Sequence, residues 1–255
     1  MPAKSSSRYE DELINEIRKS GAFWNNCFEK SFRAPIGLPA KKLGPLALNW
    51  FYITRHFART LPGLVVLITN ELGKHNLTEP EKNKTVARLE LLNREVLKIL
   101  SNDWGIGIPN FDNTNDHKLV HYALFRRMVR RTSLVVEPET DALMLDLETG
   151  FNESIEVGFG KLLVVESTAS NILRIGDAFS RAVDDRGKKL FSDTDLVYFS
   201  LHQKLEEIHA DDVRRLIALV ADNEERRVDL SKSVRSSIRM FGEFWEKMAK
   251  VTFDD

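Results

Sequence analysis

The chain has 255 residues, 42% of them hydrophobic and 29% charged, an ordinary balance for a globular protein with a substantial core. Its 37 basic and 38 acidic residues leave a net charge of −1, which argues against a nucleic-acid footprint or a polybasic membrane surface. One cysteine, Cys27, excludes an internal disulfide framework and a thiolate metal cage, and a reducing cytoplasm fits best. The opening MPAKSSSRYEDEL has no apolar core of signal-peptide length, and the longest apolar run, LPGLVVLI (61–68), is too short to span a bilayer.

Apolar residues recur at three- and four-residue steps almost throughout, and alternating strand patterns are rare. The periodicity predicts helices near 7–19, 40–74, 79–102, 116–131, 139–147, 152–184, 193–222 and 224–251, the second broken near Pro62. The breakers PAKSSS, APIGLPA, WGIGIPNFDNTN, VEPET and DDRGKK separate them. Thr140 after Pro138, and Ser192 or Thr194, stand where helix caps are expected. The basic FRRMVRR (125–131) alternates with apolar residues and reads as a solvated helix face. Residues 104–116 lack periodicity and read as a loop near a site. No linker splits the chain, so a single all-α domain over 1–255 is expected, with 1–20 as a peripheral helix.

The chemistry concentrates in LHQKLEEIHADDVRRL (201–216). On a helical wheel His202, Glu206 and His209 fall at i, i+4 and i+7, inside a stripe otherwise made of Tyr198, Phe199, Leu205, Val213, Leu216, Ile217 and Val220. Lys204, Glu207, Asp211, Arg214 and Arg215 point the other way. An unpaired charge in such a stripe costs several kcal/mol or is neutralised. A lone buried histidine is usually a satisfied core residue. Three ionisable groups over two turns, about 10 Å of axis, suit ligands flanking a metal pair. Glu166 is a second carboxylate in an apolar stripe, among Ile155, Phe159, Leu162, Leu163, Ala169 and Leu173. Two helices that each bring buried ligand-type residues are the expected arrangement for a metal site inside a bundle. A second Glu-x-x-His, HExxH, GxGxxG, the P-loop and a nucleophile elbow are all absent from the sequence.

The run DLVYFSLHQKLEEIHADDVRRL resembles the last ligand helix of the haem-oxygenase-like diiron oxidases. That family is related in fold to thiaminase II and pyrroloquinoline-quinone synthase, and includes the chlamydial protein associating with death domains. Its His-x-x-x-Asp/Glu-x-x-His signature is matched by His202, Glu206 and His209, and ESTA resembles the preceding ligand helix through Glu166 and Ala169. SNDWGIG followed by HYALFRRMV is similar to the upstream ligand region and nominates Asp103 and His121. FGEFWEKM resembles the closing aromatic helix. The sequence departs from the family in its shorter Asp103 and in the NFDNTNDHK insertion, which makes His117 a competing ligand, with Glu95 a competing carboxylate. Where some relatives add a glutamate near 50–60, this chain has Arg55 and His56, with Glu71 further along.

The resemblance implies an all-α haem-oxygenase-like bundle of about seven to eight helices holding two irons activated by dioxygen. It assigns Asp103, His121, Glu166, His202, Glu206 and His209 as ligands. The expected activity is that of a cytoplasmic non-haem diiron oxidase or oxygenase on a small amino-acid-derived or fatty-acid substrate. N-oxygenation, oxidative C–C cleavage and desaturation share these ligands. A homodimer and a reductase are family-level expectations, and no nucleic-acid or membrane partner is expected. Arg55 or Arg59 is a candidate for a substrate carboxylate, weighed against an ordinary exposed arginine. Two other readings stand beside this one. The first is a metal-independent oxidase of the quinone-synthase type, with His202 and His209 as acid–base groups. The second is a non-catalytic helical interaction protein.

Overall fold

Prolines and short polar side chains decide where the helices begin and end. The computed structural model describes residues 6–75, 84–103, 135–169, 171–193 and 195–254. Its helices are α1 (Ser6–Arg18), α2 (Asn26–Phe32), α3 (Ala40–Thr60), α4 (Pro62–Leu72), α5 (Lys84–Asp103), α6 (Pro138–Glu153), α7 (Ile155–Ala169), α8 (Ile172–Ser180), α9 (Val197–Val220) and α10 (Glu224–Phe253). The strands β1 (Leu38–Pro39) and β2 (Ala182–Val183) pair in parallel, Leu38 opposite Ala182.

The predicted break at Pro62 is real: α3 ends at Thr60 and Pro62 opens α4, where its missing N–H costs no helical hydrogen bond. Asn25 caps α2 by accepting from the Phe28 amide, and Asn223 caps α10 by accepting from the Arg226 amide. Some expectations need correction. The stretch 20–39, where no helix is expected, contains α2, too short for periodicity to reveal. The helix expected over 139–147 runs on to Glu153, and the one expected over 152–184 is interrupted at Ser154 and again after Ala169. Thr140 is not a cap: Glu137 holds the N-cap position and the Thr140 hydroxyl donates to Asn49 Oδ1 at 2.6 Å. Asn49, fully buried on α3, also accepts from the Glu137 amide at 2.8 Å, so α3 satisfies the start of α6 from outside. Ser192 and Asp195 exchange hydrogen bonds in a turn ahead of α9, which begins at Val197 rather than 193. The predicted helix over 116–131 and the 104–116 loop lie outside the described residues.

Helix α7 is the axis of the arrangement. It is apolar nearly all round, which marks a helix covered on every side. α10 packs along it and also meets α2, α3 and α6, while α9 covers another flank and reaches α5, α8 and α1. The α7–α10 approach is close because Gly160 lacks a side chain. A Cβ there would stand 2.5 Å from Ser233 Cβ, and the Ser233 hydroxyl donates to the Val157 carbonyl at 2.7 Å. Around α10 an aromatic cluster fills the core, with Trp245 4.6 Å from Phe28 and 4.9 Å from Trp50 between ring centroids. No helix of the described residues is long and apolar enough to cross a membrane.

Candidate metal centre

α9 is uninterrupted from Val197 to Val220, so His202, Glu206 and His209 keep their i, i+4, i+7 relation on one side of it. Of the apolar residues on that stripe, the described Phe199, Val213, Leu216, Ile217 and Val220 are all in the core. The outer side carries the exposed Asp211 and Arg215, and Arg214 reaches across to Asp11 of α1 at 2.5 Å. At these described positions the buried face matches the wheel reading, and His209, 1% exposed, lies on it.

Glu166, 4% exposed, comes to meet it from α7. Its Oε2 lies 3.1 Å from His209 Nδ1. Helical spacing places Leu162, Leu163 and Ala169 beside Glu166 and Val213 beside His209, all buried. The neighbouring Thr168 hydroxyl turns back to the Val164 carbonyl at 2.8 Å. In so apolar a place each partner makes the other tolerable. An ionised carboxylate alone would cost several kcal/mol, and a hydrogen bond or a shared cation removes most of that penalty. The separation suits both. It is a hydrogen-bond length, and two cis donors on one ion with bonds of about 2.1 Å would also stand about 3 Å apart. Imidazole with carboxylate is a donor set that iron in its lower oxidation states accepts, so these residues fit the implied metal.

The other predicted ligands stand as follows. Asp103 is the last residue of α5, and its side chain, with those of His202 and Glu206, lies outside the described set. His121 and the competing His117 also lie outside it. Glu95 is held by Arg94 at 2.7 Å, two turns short of Asp103. His56 pairs with Glu148 across α3 and α6 at 3.5 Å, Glu71 pairs with Lys74 at 2.7 Å, and Arg55 and Arg59 are exposed. Among the described residues no three His, Cys, Asp or Glu side chains gather closely enough to hold a metal ion. The Cys27 thiol is buried, and burial pushes it up to about 12, which keeps it protonated.

Two buried charges escaped the sequence reading. Lys161 of α7 is 4% exposed, and its Nζ sits 2.7 Å from both Asp146 oxygens, over the space left by Gly150. The signal was visible as a lone lysine inside GFGKLLVV. Asp212 of α9 is 6% exposed and pairs with Lys98 of α5 and Arg215 of its own helix. At i+3 from His209 it lies about 60° off the ligand stripe, close enough to be drawn inward. A groove of about 370 Å³ runs past this pair over Leu91, Leu216 and Leu219.

The helices form an all-α bundle, and its likeness to solved structures gives it the haem-oxygenase-like fold. No family model and no curated protein matches the chain. Solved structures do. A CADD-like protein of unknown function from Nostoc punctiforme PCC 73102 superposes with a TM-score of 0.60 at 13% identity, over 96% of each chain. A TenA homologue from Pseudomonas syringae pv. tomato DC3000 gives 0.57 at 13% identity, over 97% of this chain and 96% of that one. At such identity the likeness establishes the fold.

Proposed function

We propose that this chain is a non-haem diiron oxidase or oxygenase that uses dioxygen on a small amino-acid-derived or fatty-acid substrate, by N-oxygenation, C–C cleavage or desaturation. The observation that carries the reading is the buried Glu166–His209 pair at 3.1 Å, on the two helices that hold four of the six predicted ligands. His202 and Glu206 share the face of α9 that His209 occupies, and Asp103 closes α5, which packs on α9. Glu166, His202, Glu206 and His209, with Asp103 and His121, would hold two irons. Bound iron supplies the reductive activation of dioxygen. The protein's own part is to keep Glu166 and His209 fixed against each other and to exclude water with Phe159, Leu162, Leu163 and Val213. A reductase and a second copy of the chain belong to the same proposal.

A second reading has its own support, because 3.1 Å is also the distance at which a carboxylate orients a histidine acting as general base. The two are separated by iron content per chain after anaerobic ferrous loading. For the wild type about two irons are expected, falling steeply in His202→Ala, Glu166→Ala and His209→Ala. A wild type that holds no iron after such loading sinks the diiron reading. The metal-independent oxidase then takes its place.

A further inference from the structure

Helix α5 lies antiparallel to α9 and is tied to it at two levels. Near its start Arg88 donates to the Leu219 carbonyl at 3.3 Å and to Asp222 at 2.5 Å. Ten residues on, Lys98 donates to Asp212. As the number rises along α5 it falls along α9, so the two helices run in opposite directions. Five residues past Lys98, about 7.5 Å along the axis, α5 ends at Asp103. The same step along α9 from Asp212 reaches residue 207, between Glu206 and His209. The Lys98–Asp212 tie therefore sets the level at which the end of α5 meets the face that carries His209.

Asp212 is built for this task. Its two carboxylate oxygens are divided, Oδ2 to Lys98 on α5 and Oδ1 to Arg215 one turn along α9. Lys98 is also 4.0 Å from Glu95 on its own helix. An intrahelical pair with Arg215 alone would satisfy the buried carboxylate. The second pair is the one that crosses to another element, and a charge-assisted bond from the half-exposed Lys98 to a 6%-exposed acceptor has a fixed direction that apolar contact lacks. We infer that Lys98 and Asp212 are positioning residues. They hold α5 in the register at which its last residue, Asp103, contributes to the site on α9. This rests on the diiron reading for what the register serves, though the register itself does not depend on it.

The division of Asp212 supplies the test. Lys98→Met removes the tie between helices and leaves Asp212 paired with Arg215. Arg215→Met removes the pair within α9 and leaves the tie. Both should fold, and their unfolding midpoints should be similar. Iron affinity, measured by competition with a chelator, should fall on the order of 10-fold in Lys98→Met, stay near wild type in Arg215→Met, and recover in Lys98→Arg. In parallel, spin labels on cysteines placed at the exposed Leu97 and Asp211 report the α5–α9 distance with or without iron. That distance should shift or broaden in Lys98→Met alone. Unchanged iron affinity and unchanged distance in Lys98→Met overturn the inference, as do equal effects from Lys98→Met and Arg215→Met. If the wild type binds no iron while the distance still moves in Lys98→Met, the diiron reading falls and the register tie stands.

Discussion

Among the described residues two histidine–glutamate pairs join helices, and they are not alike. Glu166 and His209 meet between α7 and α9 at 3.1 Å with side chains 4% and 2% exposed. His56 and Glu148 meet between α3 and α6 at 3.5 Å, 21% and 56% exposed. The same two residue types thus occupy a sealed site and a half-open one. At the rim, water screens the pair, and its worth is that of a surface ion pair. In the sealed site neither partner has water to fall back on. Keeping it there is expensive unless the pair does something that leucines cannot.

The largest effect should come from breaking the sealed pair on one side. His209→Ala leaves a carboxylate in an apolar cavity and should cost about 3–5 kcal/mol in denaturant unfolding of the iron-free protein. The double replacement Glu166→Leu with His209→Leu should recover most of that loss, or exceed the parent in stability, while abolishing iron binding. A double variant as unstable as the single one would mean that the pair is a structural requirement of the fold. Stability regained together with lost activity marks a site kept for function.

The Lys161–Asp146 pair separates burial from metal binding. It is sealed on the lysine side and lies on the same helix as Glu166, but it brings an ammonium, which is no ligand while charged. Asp146→Ala should cost about 3 kcal/mol by leaving Lys161 buried and unpaired. Iron content should stay at the wild-type level, measured on protein held well below its unfolding midpoint. If Asp146→Ala empties the site at unchanged fold, α7 transmits strain from one pair to the other and the comparison needs redrawing.

These contrasts also show what could be read from residues alone. The stripe of α9 and the odd carboxylate of α7 were legible because a 3.6-residue period sorts a long helix into faces, and a charge on the wrong face stands out. The same rule could have flagged Lys161, a charge in an otherwise apolar run. Asp212 was harder, since it sits at the border of the stripe and only the arrival of Lys98 from α5 decides its burial. The meeting of Glu166 with His209 needs tertiary structure, because 43 residues separate them and no local pattern encodes the pairing. Asn49 is invisible for a similar reason. It looks like a poor helix residue inside α3, and its purpose is to satisfy the start of α6.

The smallest effect should appear at the half-open pair, and its sign is diagnostic. Burial holds the His56 imidazole below its ordinary 6.5. The nearby Glu148 carboxylate and a hydrogen bond to the Met144 carbonyl pull it back up, and Arg59 pushes it slightly down. The folded protein therefore binds a proton on His56 less readily than the unfolded chain does. The stability this confers is present above pH 6.5 and drains away as pH falls through the lower folded value. His56→Gln should flatten that acid slope in unfolding measurements between about pH 5 and 7, by about 0.5 kcal/mol or less. Glu148→Gln should steepen it, because the carboxylate is what limits the depression. At His209 the corresponding experiment has a different expected outcome. Under the proposed diiron reading, iron would compete with the proton for the imidazole, so lowering the pH should release metal before it weakens the fold. A matching iron-independent acid slope at both histidines would erase the distinction between the two pairs and return Glu166–His209 to the structural core.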